Sequence, residues 1–135
     1  MKVIRWMLLL SYGFFILWIT LFSRTPNGKH IMELGLFWSY RLLLSGAPNG
    51  RKEVIQNIQN ILFFIPFGVL IPTPKWKNVL IAAFSLSLSI EVLQYICCLG
   101  WAEIDDVICN TLGAMIGFWI VALIFKILNG CCEKK

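Results

Sequence analysis

Three of the seven acidic residues of this 135-residue chain fall in one turn, at Glu103, Asp105 and Asp106, just before a long apolar run. A fourth, Glu91, lies inside another apolar segment, with Gln94 one turn further on. Clustered carboxylates can serve as general acid and base or hold a hard divalent cation. They are also favoured at a helix N-terminus by the macrodipole, and Asp105 or Asp106 could cap the run that follows. Capping accounts for one acid and does not need three. Glu91 is costly in lipid, so it is expected to be neutral, paired or reached by water. Two readings stay open for it: a proton-carrying or ligand-binding carboxyl, or an interhelical hydrogen bond that fixes packing. The amides Asn57, Asn60 and Asn110 are suited to gripping a phosphate or sugar, to satisfying Glu91, or to joining helices. The candidate ligand-binding set is therefore Glu91, Gln94, Asp105, Asp106, Asn110, Asn57 and Asn60. Mg2+ or Ca2+ at the acidic turn would need a fuller ligand set than is visible, so no metal, no cofactor and no catalytic residue is assigned.

These residues need elements that can carry charge through an apolar medium. The chain is 59% hydrophobic and only 14% charged, with a net charge of +5. Its mean hydropathy is +0.77. A soluble domain is about a quarter charged, so lipid is the expected solvent. The basic excess then sets orientation and attracts anionic lipid; no basic cluster coincides with a recognition motif, and no nucleic acid is expected.

About 20 apolar residues cross a hydrocarbon core. Four spans are predicted, at about residues 6–22, 54–71, 79–99 and 107–128. The first is longer than a signal-peptide core and lacks an A-x-A site, so it is read as retained. Hydroxyls at Ser11, Tyr12 and Thr20 can bond helix carbonyls. The connection over residues 24–53 contains an apolar, aromatic stretch from Ile31 to Leu44, read as an interfacial helix or a re-entrant piece. Residues 45–50 read as a turn. Span two carries Asn57, Asn60, Phe64 and Gly68 on one face, with a kink expected at Pro66. Span three carries Ser87, Glu91, Gln94 and Tyr95 or Cys98. Span four carries Asp106, Asn110, Gly113 and Gly117, a small-residue face for close helix approach. The short turn over residues 100–105 makes spans three and four antiparallel neighbours.

Orientation follows the positive residues. Lys2, Arg5, Lys75, Lys77, Lys126, Lys134 and Lys135 lie on one side, against Arg24, Lys29, Arg41, Arg51 and Lys52. Both termini are expected in the cytoplasm, with the acidic turn outside. Five cysteines, Cys97, Cys98, Cys109, Cys131 and Cys132, show no metal spacing and no disulfide framework. Nucleotide loops, G-x-S-x-G and H-E-x-x-H are absent from the sequence, and His30 has no evident partner.

Three blocks resemble the VanZ-like membrane proteins. Asn57-x-x-Asn60 through Phe64-Ile65-Pro66-Phe67-Gly68 is similar to their N-x-x-N…F-x-P-x-G segment. Ser87-x-Ser89-Ile90-Glu91-x-x-Gln94 resembles their S-x-x-E-x-x-Q helix. Asp105-Asp106-x-x-x-Asn110-Thr111-Leu112-Gly113 resembles their D-D-x-x-x-N-T-x-G segment. The blocks keep the family's order and cover roughly residues 54–118. Many relatives carry an Arg shortly before the acidic turn; this chain has Gly100 and Trp101 there. The resemblance implies a small multi-pass protein of the bacterial cell membrane, in a family whose founding member is associated with resistance to the glycopeptide teicoplanin.

The expectation is an all-α, four-span domain over residues 1–135 whose polar stripes meet in one pocket. The leading function is binding or handling a lipid-linked cell-wall precursor or lipophilic glycopeptide. The alternatives are an enzyme acting on a lipid head group and an assembly partner without a ligand site. Membrane lipids are the expected partners, and self-association as a homo-oligomer stays open.

Overall fold

The computed structural model describes residues 2–26 and 28–132, with side chains from Val3 to Asn129 apart from residue 27. Expectations that rest on Lys2, Cys131, Cys132, Lys134 and Lys135 fall outside those described side chains. Four helices are long and apolar enough to cross a membrane: Val3–Phe22, Gly50–Leu70, Trp76–Ile96 and Ile104–Asn129. The chain is an all-α multi-pass membrane protein.

The first span is α1 (Lys2–Leu17), which passes into a π-helical stretch at Trp18–Phe22. Ser23 N donates to Trp18 O at 2.9 Å, which closes the widened turn. Local hydroxyls bond helix carbonyls: Thr20 Oγ1 donates to Ile16 O at 2.8 Å and Ser11 Oγ to Leu8 O at 3.1 Å. Tyr12 instead reaches another helix, donating to Phe63 O at 2.9 Å.

The first connection is only partly helical. A short strand β1 (Ile31–Glu33) precedes the seven-residue helix α2 (Trp38–Leu44). Strand β1 pairs in parallel with β2 (Trp101–Glu103), in register Ile31↔Trp101, Met32↔Ala102 and Glu33↔Glu103. The helix expected over residues 31–44 is thus shorter. Its first half pairs its backbone with the acidic turn, a partner distant in sequence that local propensity does not reveal.

The remaining spans are α3 (Gly50–Leu70), α4 (Trp76–Ile96) and α5 (Ile104–Cys132). Helix α4 ends three residues before the predicted Leu99. Cys97 donates to Leu93 O, Cys98 takes φ 54°, and Leu99 N donates to Gln94 O at 2.8 Å, which closes the helix end. Pro72 and Pro74 follow α3, whose last carbonyls are covered by Arg5: Nη2 donates to Val69 O at 2.8 Å and to Ile71 O at 3.2 Å.

Helices α3 and α5 run parallel in near contact. A Cβ at Gly113 would strike Ile61 O, one at Gly117 would strike Ile65 O, and one at Gly68 would strike Ala114 O. The small-residue face of α5 is thus spent inside the chain, against α3. Phe64, Phe67, Val79, Ala83, Ile90 and Ala114 form the dry core beside it. Most of the large apolar side chains on α1 and on the outer face of α5 stay exposed, as a lipid-facing surface requires.

Candidate functional site

The polar residues of the last three spans gather at the end of the bundle capped by β2. Asn57, Ser87, Glu91, Gln94, Glu103, Asp105, Asp106 and Asn110 are all buried. Helix periodicity puts Ser87 and Glu91 on one face of α4, and Asp106 and Asn110 on one face of α5. Asn110 Nδ2 donates to Ser87 Oγ at 2.8 Å across the α4–α5 contact. Glu91 Oε2 accepts the backbone N–H of Glu103 at 2.9 Å, so the carboxyl holds the start of the acidic turn to α4. Asp106 faces α3: Gln56 Nε2 donates to its Oδ2 at 3.3 Å. The Asn60 amide lies beside Asp106, yet its Nδ2 meets no partner in hydrogen-bond geometry.

The seven residues singled out from the sequence do different work. Glu91, Asp106, Asn110, Asn57 and Asn60 lie along the seam of α3, α4 and α5. Gln94 turns elsewhere: its Nε2 donates to Thr20 O at 3.0 Å, which ties α4 to the first span. Asp105 serves the first connection. It accepts the N–H of Phe37 at 2.7 Å and the hydroxyl of Ser39 at 3.4 Å. Phe37 has φ 56°, a left-handed conformation that an aromatic residue adopts only when held there. Asp105 is the group that holds it.

Glu103 sits at the edge of this seam, in β2. Its Oε2 accepts the indole N–H of Trp38 at 2.9 Å. Burial, then the neighbouring Asp106, raise its carboxyl to about 7, against the lowering effect of the Trp38 bond; Glu53 and Asp105 add smaller increments. Trp38 stacks on Trp101, with ring centroids 5.7 Å apart and planes 18° from parallel.

Arg24 supplies the positive charge. It is half-buried just past the first span, electrostatically coupled to Glu91 and Asp106. Gly100, at φ 147°, leaves room for it: a Cβ there would lie 2.9 Å from Arg24 Nη1. Arg24, Lys52, Gln56 and Glu103 line a chamber of about 440 Å3 together with the two stacked indoles. On the far side of Glu103 lies a second cavity of about 430 Å3, walled almost wholly by apolar atoms of Met32, Leu34, Leu88, Val92 and Tyr95. Both volumes fall within the range of small-molecule sites. Among the described residues no three of His, Cys, Asp and Glu converge to hold a metal ion.

The profile of the VanZ/LLP1 family matches residues 9–126. The chain is also 31% identical to "Protein VanZ" of Enterococcus faecium over 143 aligned positions, covering 99% of this chain and 81% of that protein. The chain belongs to the VanZ/LLP1 family. No solved structure matches it.

Several contributors to this VanZ/LLP1 site were not singled out from the sequence. Arg24 reads there as the end of a span, and Gln56 as one of several amides near an interface. Trp38 and Trp101 look like ordinary headgroup-level aromatics. Only the pairing of β1 with β2 brings these residues together. The one available signal was that Glu103 precedes the Asp-Asp pair by a strand-like two residues. His30 gains a partner as well: its Nδ1 lies 2.8 Å from Tyr95 O, so the imidazole ties the first connection to the end of α4. Cys97, Cys98 and Cys109 are free thiols.

Proposed function

We propose that the chain binds a lipid-linked envelope component or a lipophilic glycopeptide through the polar seam between α3, α4 and α5, with an effect on teicoplanin susceptibility. One observation carries the reading. Asn57 Nδ2 and Asn110 Oδ1 are buried with no hydrogen-bond partner within the protein, whereas the Asn60 amide and the Asp106 carboxylate lie against each other. Groups of this kind are rare in a packed interior, because each unmade bond costs free energy. A donor and an acceptor left open in the seam suit a ligand carrying both hydroxyl or amide hydrogens and oxygen acceptors, as a sugar or peptide does.

The adjoining apolar cavity supports an amphiphile over a purely polar solute. The mixed charge of the chamber, lined by Arg24 and Lys52 as well as Glu53 and Glu103, supports a ligand that is not a bare anion. The distribution of Lys and Arg favours both termini in the cytoplasm, with the acidic turn at the outer surface where an acylated glycopeptide partitions.

The test is teicoplanin susceptibility in cells carrying Glu91→Gln, Asp106→Asn and Asn60→Leu at matched protein abundance. Lost effect at normal abundance is the expected result. If abundance and effect fall together in all three, the seam is packing and the reading fails.

A further inference from the structure

The two cavities on either side of Glu103 differ sharply in character. The apolar groove extends along α4 from Ile96 to Leu88. Eight residues of helix are about 12 Å, so it reaches from the end of the span well into the hydrocarbon layer. The chamber beyond Glu103 faces the loops and carries two cations, Arg24 and Lys52, and two carboxylates, Glu53 and Glu103. Glu53 is close enough to act electrostatically on both Glu103 and Asp106. Glu53 and Glu103 thus form an acidic wall with Asp106 buried nearby, and Arg24 lines the same chamber.

We propose that the two cavities are the two ends of one amphiphile site. The groove takes an acyl chain, and the chamber takes a head group bearing both a phosphate and a primary amine. This rests on the seam reading above and names its ligand class. The charge pattern selects that head group. Arg24 and Lys52 offer a phosphate its donors. A phosphate alone would face Glu53 and Glu103 across the same small space. A primary ammonium offers three N–H donors to those carboxylates and removes the repulsion. A quaternary ammonium has no N–H to donate, so it makes a poorer partner for the same wall. The exposed indole of Trp101, stacked on Trp38, forms the rim at headgroup level.

The test uses the full chain, purified in mild detergent and incubated with equal amounts of three single-chain lipids of one acyl length: lysophosphatidylethanolamine, lysophosphatidylglycerol and lysophosphatidylcholine. Retained lipid is read by native mass spectrometry. The ethanolamine lipid is expected to be retained at least tenfold over the other two. Leu88→Trp, which fills the groove, should abolish retention of all three, whereas Leu93→Trp, on a neighbouring lipid-facing position outside the groove, should not. Glu53→Gln, which removes one carboxylate from that wall, should erase the headgroup preference while the three lipids are still retained and the melting temperature is unaltered. Equal retention of the three lipids by the wild-type chain overturns the proposal. So does normal retention in Leu88→Trp. If either occurs while Asn60→Leu still loses the teicoplanin effect at normal abundance, the seam reading stands and only this assignment falls. If the ethanolamine preference holds but seam variants leave susceptibility unchanged, the lipid assignment stands and the role in resistance falls.

Discussion

Replacing Asn57 by alanine separates a seam built for a ligand from a seam that holds helices together. Asn57 is 1% exposed, and its Nδ2 has no partner within the protein. A buried donor left unpaired costs about 1–3 kcal/mol, which Asn57→Ala recovers. Alanine is also the better helix residue by roughly 0.5 kcal/mol. Against this stands the small void left by the amide, about 1 kcal/mol on the usual cavity scale. The net expectation is a ligand-free protein more stable by about 1 kcal/mol, with weakened ligand retention. If Asn57 were adhesive, the substitution should destabilise by about 0.6 kcal/mol or more, as for a typical interhelical hydrogen bond. Reversible unfolding in bicelles by a denaturing detergent resolves the two signs. A destabilised Asn57→Ala with intact ligand retention would refute the reasoning.

Asp105→Ala should free Phe37 from its left-handed conformation and release α2, at a cost of about 1–3 kcal/mol for the buried donors left unpaired; limited proteolysis between residues 34 and 49 should accelerate while the four spans stay helical. Glu103 titrates at about 7 in the fold, above its ordinary 4.5, so the folded state holds its proton more tightly than the unfolded state. Its contribution to stability is therefore full below about 4.5 and fades as pH rises to about 7. The melting temperature should fall over that window in the wild-type chain, and Glu103→Gln should flatten that part of the profile. Gly113→Leu places a side chain against Ile61 O and should abolish accumulation of folded protein, whereas Leu112→Ala, one residue away on the exposed face, should not.

The spans were legible because lipid leaves few solutions. Once the backbone must satisfy itself, apolar length and Pro or Gly punctuation fix helices to within a few residues. The faces were legible too, since 3.6-residue periodicity puts Asn110 with Asp106 and Glu91 with Ser87 before any packing is known. Partner choice was not. Gln94 lies one turn from Glu91, yet it bonds Thr20 O, because the π-helical end of the first span brings that carbonyl to it. Asp105 and Asp106 are adjacent in sequence and point about 100° apart around α5, so one meets the first connection and the other meets α3. The pairing of β1 with β2 joins segments some 70 residues apart and left no local pattern to read.

Magnitudes decide between adhesion and binding for the seam as a whole. Two side-chain bonds cross it between helices, Asn110 to Ser87 and Gln56 to Asp106. Interhelical bonds in membranes average about 0.6 kcal/mol, so the pair contributes little more than 1 kcal/mol. The unpartnered amide atoms of Asn57 and Asn110 oppose this at about 1 kcal/mol or more apiece. As adhesive between helices, the seam gains little. Nor is adhesive needed there, because Gly68, Gly113 and Gly117 already let the backbones of α3 and α5 meet. Asp105 shows what a structural carboxylate looks like in this protein: both oxygens engaged, one on a strained backbone N–H. Asp106, one residue later, has one oxygen engaged and one without a partner. A bond completed from outside the chain would give that second oxygen the same footing.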